Sequence, residues 1–256
     1  MMIPAKLTRV CLNATVIIGA LLAYANTAYC FIDVQIMGGQ RSGAVNYTLT
    51  DGDHSKKVTA TELGGALHVS PFPFVPVAFG VIGSSYNYNL NSLSNAIATD
   101  AIGTPNPLIS TLGTGSRSGM VYGPDVMVWL PLGFFQPYVR LSYLLGTEKQ
   151  TQKISIGTVS GVVPSGSTAF AVNDQYNVKE TSYSFGFRFQ PIIFFSVFAE
   201  YAIDRGTVTH SSTSFTTVET SDGAATTSTS TTMDPTEAKT RSTAVRVVRI
   251  GVQTGF

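Results

Sequence analysis

Seven charged side chains, Asp33, Glu62, Asp125, Arg140, Arg188, Glu200 and Arg249, stand at alternate positions inside otherwise apolar runs. In an extended chain a period of two sends such residues to one face and their apolar neighbours to the other. Carboxylates and guanidiniums gathered on a shared inner face can act in two ways. They can gate ions or relay protons along a path, or neutralise one another as ion pairs. In chain order the signs run minus, minus, minus, plus, plus, minus, plus. Arg140 is therefore expected beside Asp125, Glu200 between Arg188 and Arg249, and Arg249 beside Asp33 where the last run meets the first. An unpaired buried charge costs several kcal/mol, so pairing is expected.

Other chemistry is thinly represented. Asp53, His54 and Ser55 hold the residue types of a hydrolytic triad, but adjacent side chains seldom present its geometry. His210 is a second, more distant histidine candidate for the same role. Asp51-Gly52-Asp53 offers oxygen ligands, yet a calcium loop needs six or more, including a carboxylate further along. Gly113-Thr114-Gly115 with Gly119 is glycine-rich without the lysine of a phosphate loop. No catalytic, cofactor-binding or metal-ligating set is expected, and the chain is not expected to be an enzyme.

The elements that must carry the seven charges are strands. From Arg246 to Phe256 one parity reads Arg246, Val248, Ile250, Val252, Thr254, Phe256, and the other Val247, Arg249, Gly251, Gln253, Gly255. The same alternation sets Ile32, Val34 and Ile36 against Asp33, Gln35 and Met37. Leu63, Leu67 and Val69 oppose Glu62, Gly64, Ala66 and His68. Val75 to Val81 oppose Ala78 and Gly80, and Tyr122 to Leu130 oppose Gly123 and Asp125. Val139 to Leu145 oppose Tyr138, Arg140 and Ser142. Tyr183 to Phe189 oppose Ser182, Ser184, Gly186 and Arg188, and Val197 to Ile203 oppose Glu200 and Asp204. Eight such runs, each of about the length that a tilted strand needs to cross a bilayer, predict an all-β, antiparallel, up-and-down transmembrane barrel. Pro71, Pro131 and Pro191 recur at a constant interval of 60 residues and mark three short turns. Four long surface loops are expected at about 39–57, 87–117, 146–179 and 206–242. The last holds the Ser/Thr tract 226–232. Pro124, in mid-strand, predicts a bulge or register break, and parity sends Trp129 inward.

Residues 1–30 read as a cleaved signal peptide. Lys6 and Arg9 precede an apolar stretch, and small residues allow a cut after Ala25 or Cys30. The barrel domain is then 31–256. Only 12% of the residues are charged, against roughly 25% in ordinary soluble domains. Mean hydropathy is +0.20, the middle value that alternating lipid-facing and lumen-facing positions produce. The formal charge of +1 becomes −1 without Lys6 and Arg9, which leaves no electrostatic case for nucleic acid. Both cysteines, Cys11 and Cys30, lie in or at the edge of the leader, so no thiol or disulfide chemistry is expected.

The leader, the eight alternating runs, the three turns and the terminal Phe256 resemble small eight-stranded outer-membrane barrels of the OmpA-barrel and OmpX kind. The stretch Phe198-Ala199-Glu200-Tyr201 is similar to an acidic-aromatic strand common in that group. The resemblance implies the Gram-negative outer membrane as location and lipid with lipopolysaccharide as surroundings. It also implies Phe256 as the signal read by the assembly machinery, and a monomer. The function expected is structural or adhesive, with an extracellular partner of the loops and a lumen plugged by salt bridges. The alternatives are a narrow porin-like channel past Gly64, Gly80, Gly123, Gly186 and Gly251, a lipid-modifying enzyme using His54, and a soluble barrel for a hydrophobic ligand.

Overall fold

In a computed structural model the described residues are 32–49, 52–71, 75–91, 109–158, 167–192, 194–221, 224–233 and 240–255. The signal-peptide reading and Phe256 lie outside them. The strands are β1 (Ile32–Leu49), β2 (Gly52–Val69), β3 (Val77–Asn89), β4 (Ile109–Trp129), β5 (Phe135–Thr158), β6 (Ser167–Ile192), β7 (Phe195–Ser221), β8 (Ala224–Met233) and β9 (Thr240–Gly255). Each of β1 to β7 pairs antiparallel with the next, β7 pairs with β9, and β9 returns to β1. Eight strands thus close a ring that leaves no free edge within the wall, which is what lipid demands of a β-structure.

The ladder keeps the expected parity. Asp33, Gln35 and Met37 are buried while Ile32, Val34 and Ile36 are exposed, and the same division holds around the ring. The exposed face carries a continuous apolar belt that includes Leu67, Phe79, Val128, Leu141, Phe185, Val197 and Ile250. Water would penalise a belt of this extent, whereas hydrocarbon solvates it. The barrel is of the membrane-spanning type. The antiparallel pairs β2–β3, β4–β5 and β6–β7 bring their closest-spaced ends together at one end of the barrel, where Asp33 also pairs with Gly255.

Three expectations need correction. The segments read as loops largely continue the ladder: β5, β6 and β7 reach 24, 26 and 27 residues, more than twice the roughly 9–11 needed to cross a bilayer. Once a polar stretch is extended and flanked by paired neighbours, its backbone groups are satisfied by the ladder without an apolar face. The Ser/Thr tract lies in β8, a ninth strand outside the ring, which pairs with the outer part of β7 from Thr213 to Ser221. Threonine's branched side chain suits a strand. Finally, Pro124 causes no slip. Tyr122 pairs with Leu145 and Asp125 with Ser142 in one register, and only the two intervening pairs are missing. The proline has no N–H to give, and Gly123 lets the backbones stay close. A Cβ there would stand 1.8 Å from the Tyr143 carbonyl oxygen.

Candidate functional site

The inward charges meet as a chain of ion pairs along the lumen. Arg249 holds Glu62 at 2.9 Å, Glu200 at 2.8 Å and Asp204 at 4.0 Å. Arg140 holds Glu200 at 3.0 Å and Asp125 at 3.4 Å. Asp125 also takes the Ser142 hydroxyl at 2.8 Å and contacts His68 Nε2. Arg188 lies 4.0 Å from Asp33, is held by Gln136, and stands 5.2 Å from the Trp129 ring centroid, which explains the inward tryptophan. The expected Arg140–Asp125 pair is present. The expected Glu200–Arg249 pair is present too, while the expected Glu200–Arg188 and Arg249–Asp33 pairs are replaced. Glu200 sits between Arg140 and Arg249, Arg188 goes to Asp33, and Arg249 goes to Glu62. Sequence order around a ring names neighbours, but strand tilt decides which side chains share a height.

One local device recurs in four of the lumen contacts. Glu62 and Arg249 both pair with Gly39, one from each side, and their side chains meet across it. His68 and Asp125 both pair with Gly80 and meet across it. Tyr86 reaches over Gly119 to donate to Glu148 at 3.1 Å, and Tyr138 reaches over Gly186 to donate to Glu200 at 3.1 Å. In each case a residue without a side chain lets strands two apart in the ring bond over it. A Cβ on Gly119 or Gly186 would stand 2.4 Å from the overlying tyrosine ring. Three of the five glycines expected to line a wet path, Gly80, Gly186 and Gly251, are covered by His68, Tyr138 and Phe198.

Contacts also cross the bore. Gln35 on β1 accepts from Arg140 on β5, the strand diametrically opposite in the ring. Below it Arg188 on β6 approaches Asp33 on β1, and above it Arg41 on β1 binds Glu180 on β6, with Asp204 at 2.9 Å. Arg117 binds Glu148 at the outer end. All seven predicted charges are buried.

Arg41, Arg117, Glu148 and Glu180 were missed because the expected strands stopped short of them; Arg41, Arg117 and Glu148 fell in segments read as loops. Their parity gave the signal: Arg41 continues Asp33, Gln35 and Met37, and Glu148 continues Arg140 and Ser142. Parity also sends His68 and Asp204 inward, where His68 meets Asp125 and Asp204 meets Arg41. His54 lies on β2 between Asp53 and Ser55, so those two project from the opposite face and the three cannot form a triad. His210 sits on β7, 3.5 Å from Asp174 and 2.8 Å from the Thr213 hydroxyl. Gly113 to Gly119 is ladder, not a phosphate loop, and Asp51 lies outside the described residues. Among the described residues no group of three or more metal-ligating side chains gathers.

No protein-family model matches the chain, and no curated protein matches it in sequence. Among solved structures it is similar to Ail, the attachment invasion locus protein of Yersinia pestis, at 15% identity over 88% of this chain and 98% of that one, with a TM-score of 0.35. It is similar to a major outer membrane protein from Thermus thermophilus at 10% identity, over 87% and 99%, with a TM-score of 0.40. A third is Neisserial surface protein A, at 12% identity over 88% and 97%, with a TM-score of 0.36. What the chain itself presents is a closed, eight-stranded barrel of the membrane-spanning type, with a charged, bridged lumen.

Proposed function

We propose that the protein is an outer-membrane barrel whose lumen is closed by its ion pairs and whose work is surface interaction. The observation that carries this reading is the set of side-chain bridges between facing strands at three heights: Arg188–Asp33, Arg140–Gln35 and Arg41–Glu180. An eight-stranded barrel leaves an interior that side chains just fill. A bore bridged three times holds no continuous water column for an ion to follow. The covered glycines support the same reading, since the gaps that would widen the path are spanned by rings. What remains for function is the outer part of the molecule. There β6, β7 and β8 form a ribbon that continues well beyond the apolar belt, with Phe170 and Phe215 exposed on it. In this reading the barrel is a rigid monomeric anchor in the Gram-negative outer membrane, surrounded by lipid and lipopolysaccharide. Its ribbon meets an extracellular partner.

Planar-bilayer recording of the refolded chain tests the closed lumen. A folded barrel, verified by heat-modifiable gel mobility, should give no stable conductance steps. Steps that disappear or change in Arg140→Ala would replace this reading by that of a narrow channel. Binding of cells or matrix that disappears when the ribbon is shortened, with the barrel still folded, would locate the interaction in it.

A further inference from the structure

Above the Arg41–Glu180 bridge the bore opens into a cavity of about 400 Å³ between β1, β3, β4 and β9. Its walls combine arginines (Arg41, Arg117, Arg241) with apolar surface from Val45, Tyr88 and Val245. The acidic groups there are already engaged. Glu180 is bound by Arg41, and Glu148 by Arg117 and the Tyr86 hydroxyl. Arg241 is the exception. Its guanidinium lies 5.4 Å from the Tyr176 ring centroid, its Nη2 is buried without a hydrogen-bond acceptor, and no carboxylate of the described residues pairs with it. Burial, and next the charge of Arg117, press its pKa below the usual arginine value. A guanidinium nitrogen removed from water without an acceptor is costly, and an anion brought to it recovers that cost.

We propose that this cavity is a blind vestibule that binds a small organic oxyanion, a carboxylate carried on an apolar body, through Arg241. The carboxylate supplies the acceptor that Arg241 lacks, with Arg117 adding positive potential from the neighbouring wall. The apolar body lies against Val45, Tyr88 and Val245. Chemistry of both kinds is required, because a bare inorganic anion leaves the apolar wall uncovered and a neutral aromatic leaves the guanidinium unpaired. The Arg41–Glu180 bridge forms the floor, so the ligand enters and leaves from the outer side. The inference goes beyond the interaction role and rests on the closed lumen only for its blind floor. Calorimetry reads the binding and bilayer conductance the closure, so the two fail separately.

Benzoate titrated calorimetrically into the refolded full-length barrel tests it, with benzyl alcohol as the neutral analogue. Saturable benzoate binding that weakens as chloride is raised, with no binding of benzyl alcohol, is the expected result. Arg241→Gln should weaken benzoate by about tenfold or more, the usual worth of a hydrogen bond to a charged group. Arg205→Gln, on the outward face, should leave it unchanged. Absence of saturable binding, equal binding of benzyl alcohol, or unaltered binding in Arg241→Gln each overturns the proposal. If Arg241→Gln gives no folded band on gels, the benzoate, benzyl alcohol and chloride comparisons in the unmodified protein decide alone.

Discussion

Glu200 is the residue on which most of the lumen network converges. It accepts from Arg249 at 2.8 Å and from the Tyr138 hydroxyl at 3.1 Å, and pairs with Arg140 at 3.0 Å. Removing it takes a carboxylate from two buried guanidiniums at once, leaving Arg249 with Glu62 and Arg140 with Asp125, and breaking a buried pair by removing one partner costs about 3–5 kcal/mol. Glu200→Ala should therefore lower the stability of the refolded barrel in urea unfolding by that amount, and an unchanged midpoint would show that the pairs carry no stability. Glycine matters at this scale for the opposite reason, by what it omits. Gly123→Ala places a methyl group against the Tyr143 carbonyl and should cost about 1–3 kcal/mol, the range for overpacking, in the same unfolding assay. The equivalent change at Gly52, which has no neighbour within 4 Å but a φ of +129°, would cost only backbone strain.

At the scale of elements the outer ribbon and the barrel are separable. The β7–β9 ladder ends at the Thr209–Thr240 pair, where the two hydroxyls lie 3.1 Å apart. Beyond it β7 changes partner and runs beside β8. The change of partner coincides with a bulge: Gln175 pairs with Ser212 and Tyr176 with His210, leaving Ser211 unpaired. A bulge inserts one residue and swings a strand, so His210 and Thr213 come to one face although their spacing is odd. Replacing residues 211–239 with a short turn should leave the heat-modifiable mobility of the barrel intact. Failure of that variant to refold would mean that the ribbon is part of the folding unit.

For the whole molecule the decisive boundary is the outer limit of the apolar belt. On the outward face of β1 the belt runs Ile32, Val34, Ile36 and gives way to Gln40. On β6 and β7 it gives way to Lys179 and Arg205, and on β9 to Arg246. A cation placed on a lipid face costs about 2–4 kcal/mol at the bilayer midplane and about 0–1 near its edge. Ile250→Arg should fall in the first range and Ser242→Arg in the second, measured by unfolding from lipid vesicles. Equal costs at both positions would contradict the placement of the belt.

Period-two alternation by itself determined the class of fold, the face of every charged residue named from it and the number of strands in the ring. Parity is a local property of an extended backbone and needs no knowledge of neighbours. The prolines at 71, 131 and 191 likewise marked the three short turns, because proline limits the backbone locally. The far ends of the strands were not legible as lipid-crossing runs: a polar stretch such as 146–153 carries no apolar side chain to alternate, and pairing with β4 and β6 holds it extended. The pairing of charges was legible for Arg140 with Asp125 and for Glu200 with Arg249, each on adjacent strands. Arg249 with Glu62, Arg188 with Asp33 and Arg41 with Glu180 depend on the tilt of the wall and on which glycine leaves room between them. Tertiary structure alone decided those contacts, because height along the barrel is set by register summed around the whole ring and not by any one strand.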